Sequence, residues 1–409
     1  MIKFDNDESI PLEDFFEAYY LCRKRKRRTV NAMEFELDYE HNLVQLWKDV
    51  NSGKYEIGRS ICFIVTRPKP REIFAADFRD RIVHHVVMMR LEPLFENVFI
   101  NDNYNCRKGK GTLYGVKRLQ EQVKICSEGY TKNCYIGKFD MKSFFMSIHK
   151  PTLFKMLNVF INENYHGKDK RIILFLVKKI VLNCPHYNCF MKSPRSMWKM
   201  LDSGKSMFTC GDDFGLPIGN LTSQCFANFY LHEFDMIMVS KFGFYGRYVD
   251  DYYIIAKEKE EIKKHIQFMK EYLYDKLRVR LHPNKIYMQS YRKGVKFVGY
   301  VIKGNKTYTS NSTISNLYTK IHAYNGNVSV ENTERFVQTL NSYLGFMRHS
   351  MSRRICNKVF LMINHNWFKY IAYIPPKNKF VMEEKYNQII EAKRSAKYIK
   401  AFCERYYAF

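Results

Sequence analysis

Apolar residues recur along this chain at two different spacings, and the switches between them mark out its elements. Between residues 11 and 50, Phe15, Phe16, Tyr19, Tyr20, Phe35, Leu37, Leu43, Leu46 and Trp47 follow helical intervals. Residues 57–66, IGRSICFIVT, predict a strand, and 67–73, RPKPREI, a turn into another. Phe78 to Phe95 returns to a helical face through Ile82, Val83, Val86, Val87, Met89 and Leu94, with His84 and His85 as packing or capping residues. Tyr135 to Phe145, YIGKFDMKSFF, enters as a strand and presents Asp140 at its end. Residues 151–182 predict a helical excursion, followed by a Lys- and Met-rich stretch up to Cys210. Asn220 to Val239 is again helical. In FGFYGRYVDDYYIIA, Phe242 to Ala256, two aromatic and β-branched runs flank Val249-Asp250-Asp251, which predicts a hairpin with both carboxylates at its tip. Residues 258–277 form a charged amphipathic helix. LHPNKIY (281–287) and KFVGYVI (296–302) predict short strands, and the chain from about Ser310 is mainly helical, basic and aromatic.

Composition narrows the partners. The 409 residues are 46% apolar and 16% aromatic, enough for substantial cores and too much for disorder. Lys and Arg number 67 against 41 Asp and Glu, a formal charge of +26, which points to a polyanionic partner rather than a small metabolite. Six consecutive cations, Arg23, Lys24, Arg25, Lys26, Arg27 and Arg28, read as a phosphate-binding surface on a helix, with a solvated face as the plainer alternative. The glycine-containing loop NCRKGKGT offers Arg107, Lys108 and Lys110 to a nucleic-acid backbone and does not match the phosphate-loop pattern. Eleven scattered cysteines without a C-x-x-C pair suit reduced thiols in a cytosol. No run of 18 apolar residues predicts a membrane span, and the acidic N-terminus lacks signal-peptide order.

Two adjacent acids at a hairpin tip repel unless a cation lies between them, and hard oxygen donors suit Mg²⁺. Asp is also a favoured turn residue, so locally an acidic turn and a metal site are close alternatives. Asp140 on a second strand tips the balance. Three carboxylates can hold two Mg²⁺ about 3.5–4 Å apart for in-line phosphoryl displacement. Lys69 and Arg71 suit triphosphate oxygens. Gly211-Asp212-Asp213 lies in a glycine-rich loop without a preceding strand and reads as a decoy, as does Cys184-Pro-His186-Tyr-Asn-Cys189 for zinc.

The motifs PKPREI, FRDRIVHH, KFDMKSFF, GLPIGNLTSQ, RYVDDYYII, LHPNK and FVGY stand in this order, and in that order the chain resembles a reverse transcriptase from roughly Phe35 to Gly345. FRDRIVHH, GLPIGNLTSQ with Ser223-Gln224, and SYLGFMRH resemble more narrowly the enzymes of diversity-generating retroelements. The resemblance implies an α+β right-hand polymerase with fingers, a palm of antiparallel sheet plus helices, and a helical thumb. It divides the chain into a basic helical extension (1–34), fingers with part of the palm (35–134), palm (135–308, with a helical finger insertion at about 151–210), and thumb with a basic tail (309–409).

By that resemblance Asp140, Asp250, Asp251 and the Met141 carbonyl hold two Mg²⁺, with Mn²⁺ a substitute, and Lys285 is a general acid. Lys69, Arg71, Phe145, Ile218 and Gly219 face the incoming dNTP, with Phe145 the steric gate. Phe297, Gly299 and Tyr300 form the primer grip. Many relatives have Gln where this chain has Ile218, and loss of that amide weakens a polar check on base pairing. Val249 stands where the subfamily often has Met, an apolar exchange. The implied function is to copy a template-repeat RNA into adenine-mutagenised cDNA for a target gene. The implied partners are a structured template RNA, cDNA or primer, and a small basic accessory protein forming a pentameric helical bundle; no membrane is involved, and the setting is the cytoplasm of a bacterium or phage host. Retron, group II-like and abortive-infection reverse transcriptases, or a non-catalytic RNA-binding splicing factor on this scaffold, are the alternatives.

Overall fold

The computed structural model describes residues 4–24, 29–67, 69–202, 204–384 and 388. The chain divides into two compact units, one of Met1–Gly111, Gly137–Ala256 and Glu260–Tyr287, the other of Thr112–Ile136, Lys257–Lys259 and Met288–Phe409.

In the first unit the helix Phe78–Val98 is the axis on which the N-terminal helices Leu12–Arg23, Val30–Glu36 and Tyr39–Asn51 assemble. Asp77 caps it by accepting from the Arg79 amide (3.0 Å). Ile82, Val83, Val86, Val87, Met88, Leu91 and Phe95 are buried along it, so it packs on several sides rather than along one narrow stripe. His84 is buried among them with its Nδ1 2.6 Å from the Thr222 hydroxyl, and burial pushes its pKa down to about 3. It is a packed neutral imidazole.

Two sheets matter for the site. In one, Ser60–Val65 pairs antiparallel with Arg71–Ala75 and parallel with Cys189–Met191, so Val65 lies opposite Arg71. In the other, Tyr245–Tyr248, Asp251–Ala256 and Tyr135–Asp140 are neighbours in that order. Tyr252, Tyr253, Ile254, Ile255 and Ala256 are all buried, which explains an apolar run with no alternation: both faces of this strand are covered. Gly246 sits where a Cβ would lie 2.5 Å from the hydroxyls of Tyr104 and Tyr253, which are 2.7 Å apart; only glycine lets these two rings meet across the strand.

The second unit holds the helices Thr112–Cys126, Asn311–Asn325, Val330–Met347 and Arg353–Met362 and a meander of Val295–Phe297, Tyr300–Lys303 and Lys306–Thr309. Its helical core gathers Leu317, Ile321, Phe336, Leu340, Leu344 and Trp367.

Two expectations change. LHPNKIY is no strand before Tyr287: Leu281 forms one bridge with Met141, and Pro283, which has no N–H, begins a turn closed by the Lys285 amide on the His282 carbonyl (3.1 Å). KFVGYVI is a tight hairpin instead of one strand, turning at Val298 and Gly299, both with positive φ. Within the mainly helical C-terminal region, Pro375 and Asn378 turn Ile371–Ile374 back onto Lys379–Met382. The basic tail lies mostly outside the described residues.

Trp367 is fully buried on Phe336 (centroids 4.6 Å apart), and its indole N–H has no partner. Trp367→Ala is therefore expected to lower stability by about 3–5 kcal/mol, whereas Trp367→Phe, which loses no hydrogen bond, costs about 1 kcal/mol. Urea denaturation midpoints of the two variants check this.

Candidate active site

The Asp250–Asp251 hairpin closes in the fewest possible residues. Tyr248 pairs with Asp251, which leaves Val249 and Asp250 alone in the turn. Val249 has φ +59°, a left-handed conformation that costs a β-branched side chain about 1–3 kcal/mol. Reading it as an apolar residue exchangeable with Met overlooked this backbone. The Arg247 guanidinium Nη1 donates to the Val249 carbonyl at 2.9 Å.

Asp140 reaches the same place from the neighbouring strand. The Met141 amide donates to the Asp250 carbonyl (3.2 Å), and the His282 amide to the Asp140 carbonyl (2.8 Å), so the strand end is pinned on both sides. Burial raises the Asp250 carboxyl to about 6; Asp251 and Asp140 add to the rise, and Arg71 opposes it. Burial likewise raises Asp251, Lys138 opposes the shift through an ion pair, and Asp140 adds to it through a shared hydrogen bond. These are the marks of carboxylates held together against their own repulsion.

Two lysines balance the cluster. Lys285 Nζ donates to Asp140 Oδ1 at 2.8 Å, and Lys138 Nζ to Asp251 Oδ2 at 3.0 Å. Sequence reasoning singled out Lys285 and missed Lys138. Strand alternation carried the signal, since Lys138 and Asp140 are two apart and share a face. Among the described residues no group of three or more His, Cys, Asp or Glu is arranged as a metal cage. The donor set nevertheless fits a hard divalent cation: three acidic side chains converge, and ammonium groups supply the positive charge that such a cation would bring.

A second cluster adjoins Arg71–Ala75. Phe145 and Ile218 pack on a core of Cys62, Phe74, Met146 and Met207. The Leu216 amide donates to the Phe145 carbonyl and the Phe74 amide to the Ile218 carbonyl, both at 2.9 Å. Gly219 has φ +125°, and a Cβ there would lie 3.0 Å from Ile73 and 3.3 Å from the Phe74 carbonyl, so glycine is required by both conformation and space. Arg71 is exposed at the start of the strand that this cluster supports, and Lys69 is exposed in the bend before it. Between them and the core, buried Glu72 accepts from Trp198 Nε1 (2.6 Å), Ser206 Oγ (2.6 Å) and the Met207 amide (2.7 Å). Sequence reasoning did not single out Glu72.

Several expected contacts resolve differently. Arg107 is not available to phosphate: its guanidinium is bound to Glu96 (2.7–3.0 Å) and to the carbonyls of Ile100 and Asn103. Lys110 is tied to Asn101 (2.9 Å to its carbonyl), while Lys108 is exposed. Arg23 pairs with Glu36 at 2.6 Å and ends its helix; Lys24 follows in a turn, and Arg25, Lys26, Arg27 and Arg28 lie outside the described residues. In the second unit Phe297 and Tyr300 are buried, with Tyr300 stacked on Phe346 (4.2 Å) and its hydroxyl on the Phe346 carbonyl (2.8 Å). Gly299, the third residue assigned to a primer grip, stands in the turn of this hairpin. Asp212 accepts from the Tyr187 hydroxyl and lies 3.3 Å from His186 Nε2, and Cys184 faces buried Lys150.

Asp250→Asn should stabilise the protein in EDTA at neutral pH. Because its pKa is raised, protonated Asp250 contributes stability that is complete below its ordinary value of 3.8 and lost as pH rises through about 6. Asparagine keeps a neutral side chain throughout, so the gain is about 1–3 kcal/mol at pH 7.5 and vanishes near pH 4. Scanning calorimetry with and without a divalent cation checks this, with the cation stabilising the wild type more than the variant.

Residues 66–302 match the reverse transcriptase (RNA-dependent DNA polymerase) family. A curated relative, Protein YkfC of Escherichia coli (strain K12), is 21% identical over 306 residues, covering 65% of this chain and 72% of that protein. Among solved structures, apo telomerase from Candida tropicalis truncated from its C-terminal domain aligns with TM-score 0.47 at 13% identity, covering 62% of this chain and 55% of that one. Telomerase from Candida albicans in complex with a TWJ fragment of telomeric RNA aligns with TM-score 0.43 at 12% identity, covering 85% and 61%. The chain thus spans between about half and two thirds of these telomerase chains. The family match takes in the three aspartates, Lys69, Arg71, Ile218 and Lys285 and covers more than half of the sequence: the chain belongs to the reverse transcriptase (RNA-dependent DNA polymerase) family and is by family an RNA-directed DNA polymerase, a nucleotidyltransferase.

Proposed function

We propose that this chain is the polymerase of a diversity-generating retroelement, copying a template-repeat RNA into cDNA mutated at template adenines, which then replaces a variable region of a target gene. The observation that carries this reading is Ile218. It lies against the same apolar core as Phe145, its carbonyl is taken by the Phe74 amide, and its side chain offers no hydrogen bond to a nascent base pair. Discrimination that rests on a polar contact disappears with that contact, and each 1.4 kcal/mol lost is about tenfold.

On this reading Asp140, Asp250 and Asp251, with the Met141 carbonyl, would hold two Mg²⁺. When bound, these ions favour attack of a 3′-hydroxyl on the α-phosphate and offset charge on the leaving pyrophosphate. Lys69 and Arg71 hold the triphosphate, Phe145 blocks a ribose 2′-hydroxyl, and Lys285 supplies a proton to the leaving group. Lys138 keeps Asp251 ionised and oriented from the opposite side. The partners are a structured RNA supplying the template, a primer, and a small basic pentameric accessory protein.

Ile218→Gln is expected to lower misincorporation opposite template adenine about tenfold in primer extension on RNA, read by sequencing the cDNA, with errors opposite the other bases little changed. An unchanged adenine error removes Ile218 as its cause, and errors spread evenly over all four template bases remove the retroelement reading. Asp250→Asn with Asp251→Asn should abolish synthesis while RNA affinity, measured by filter binding, stays within about twofold.

A further inference from the structure

Among the described residues Arg247 is the largest charged side chain to be wholly buried, at 0% exposure, and none of the roles above uses it. Its fork is fully engaged. Nε and Nη2 donate to the two carboxylate oxygens of Asp235 at 2.7 and 2.6 Å, and the Tyr245 hydroxyl holds the same carboxylate at 2.6 Å. Asn228 accepts from Nη1 through its side chain and from Nη2 through its carbonyl, both at 3.3 Å. The remaining bond is Nη1 to the Val249 carbonyl, 2.9 Å. The Arg247 backbone is clamped as well, its amide on the Asp102 carbonyl (2.9 Å) and its carbonyl accepting from the Tyr104 amide (3.0 Å).

Val249 is the residue that needs such a hold. Its φ of +59° is the price of a two-residue turn that places Asp250 and Asp251 side by side facing Asp140. Left alone, a β-branched residue relaxes out of that region, and the carboxylates would turn with it. The bidentate pair with Asp235 fixes the plane of the guanidinium, so its third edge points in one direction only. That direction is the Val249 carbonyl.

We propose that the Asp235–Arg247 pair is a positioning device for the catalytic carboxylates, acting through the Val249 carbonyl to hold the strained turn in the conformation that aims Asp250 and Asp251 at Asp140. The proposal rests on the polymerase reading of those aspartates. Lysine at 247 keeps the charge opposite Asp235 but, with a single nitrogen, loses the fork that reaches both partners.

The test uses the full chain in steady-state primer extension on RNA, with thermal unfolding measured in parallel. Arg247→Lys is expected to lower kcat about 10- to 100-fold, to change KM for dNTP less than threefold, and to raise the Mg²⁺ concentration for half-maximal rate several-fold. Adding Val249→Gly to Arg247→Lys should recover at least a third of the lost kcat without raising the unfolding temperature, because glycine occupies φ +59° unaided. If kcat and unfolding temperature fall together and Val249→Gly restores neither, Arg247 only holds the fold, and the proposal is overturned. A folded Arg247→Lys with unchanged kcat overturns it equally. Should Arg247→Lys not fold, Asp235→Asn, an isostere that frees one arm of the fork, is read by the same criteria. A wild-type chain that makes no cDNA in this assay would strike instead at the polymerase reading.

Discussion

Like charges brought together in a poorly solvated place set the terms for this structure. Asp140, Asp250 and Asp251 lie within reach of one another, and their proximity together with burial lifts the carboxyls of Asp250 and Asp251 above the usual carboxylate range. Everything around them supplies positive charge or rigidity. Lys285 and Lys138 each take one carboxylate, Arg71 opposes the rise in the Asp250 pKa, and the strand end is fastened by the Met141 and His282 amides. A cluster of this kind is stable as protein alone because those cations are near.

Rigidity comes from deeper in the fold. The hairpin strand is buried from Tyr252 to Ala256, and the strand beside it carries Gly246, which admits the Tyr104–Tyr253 contact, and Arg247, which anchors to the preceding helix pair through Asn228 and Asp235. A two-residue turn on such a base has few ways to move. The left-handed backbone of Val249 thus stands directly before the acids. Strain at that position requires support from several elements at once, and helix, sheet and loop all contribute to it.

The sequence shows the site's acids because they lie in short local patterns: alternating aromatic and β-branched runs that break at acids. The main helices and the two strands before Phe78 were legible for the same reason, their periodicity being local. Contacts between distant segments were not. Lys138 becomes a partner of Asp251 through pairing across 113 residues, and Glu72 meets Trp198 across 126. Arg107 looked like a phosphate ligand because its neighbours are basic, yet Glu96 sits eleven residues upstream at the end of a helix and takes it. KFVGYVI misled in the opposite way. An apolar run reads as one strand until Gly299 folds it on itself, and folding buries the very rings that had suggested contact with a primer.

Glu72 has a consequence for how this enzyme can change. Its carboxylate has three donors, all contributed by residues 198–207, and Glu72 itself lies in the strand that begins at Arg71. The segment just before those donors is fastened to the same sheet, since Cys189–Met191 pairs with Ser60–Val65 and the Ile64 amide donates to the Ser193 hydroxyl (3.1 Å). A change anywhere from Cys189 to Met207 therefore reaches the strand of Arg71 by two routes, one through the sheet and one through a single buried carboxylate.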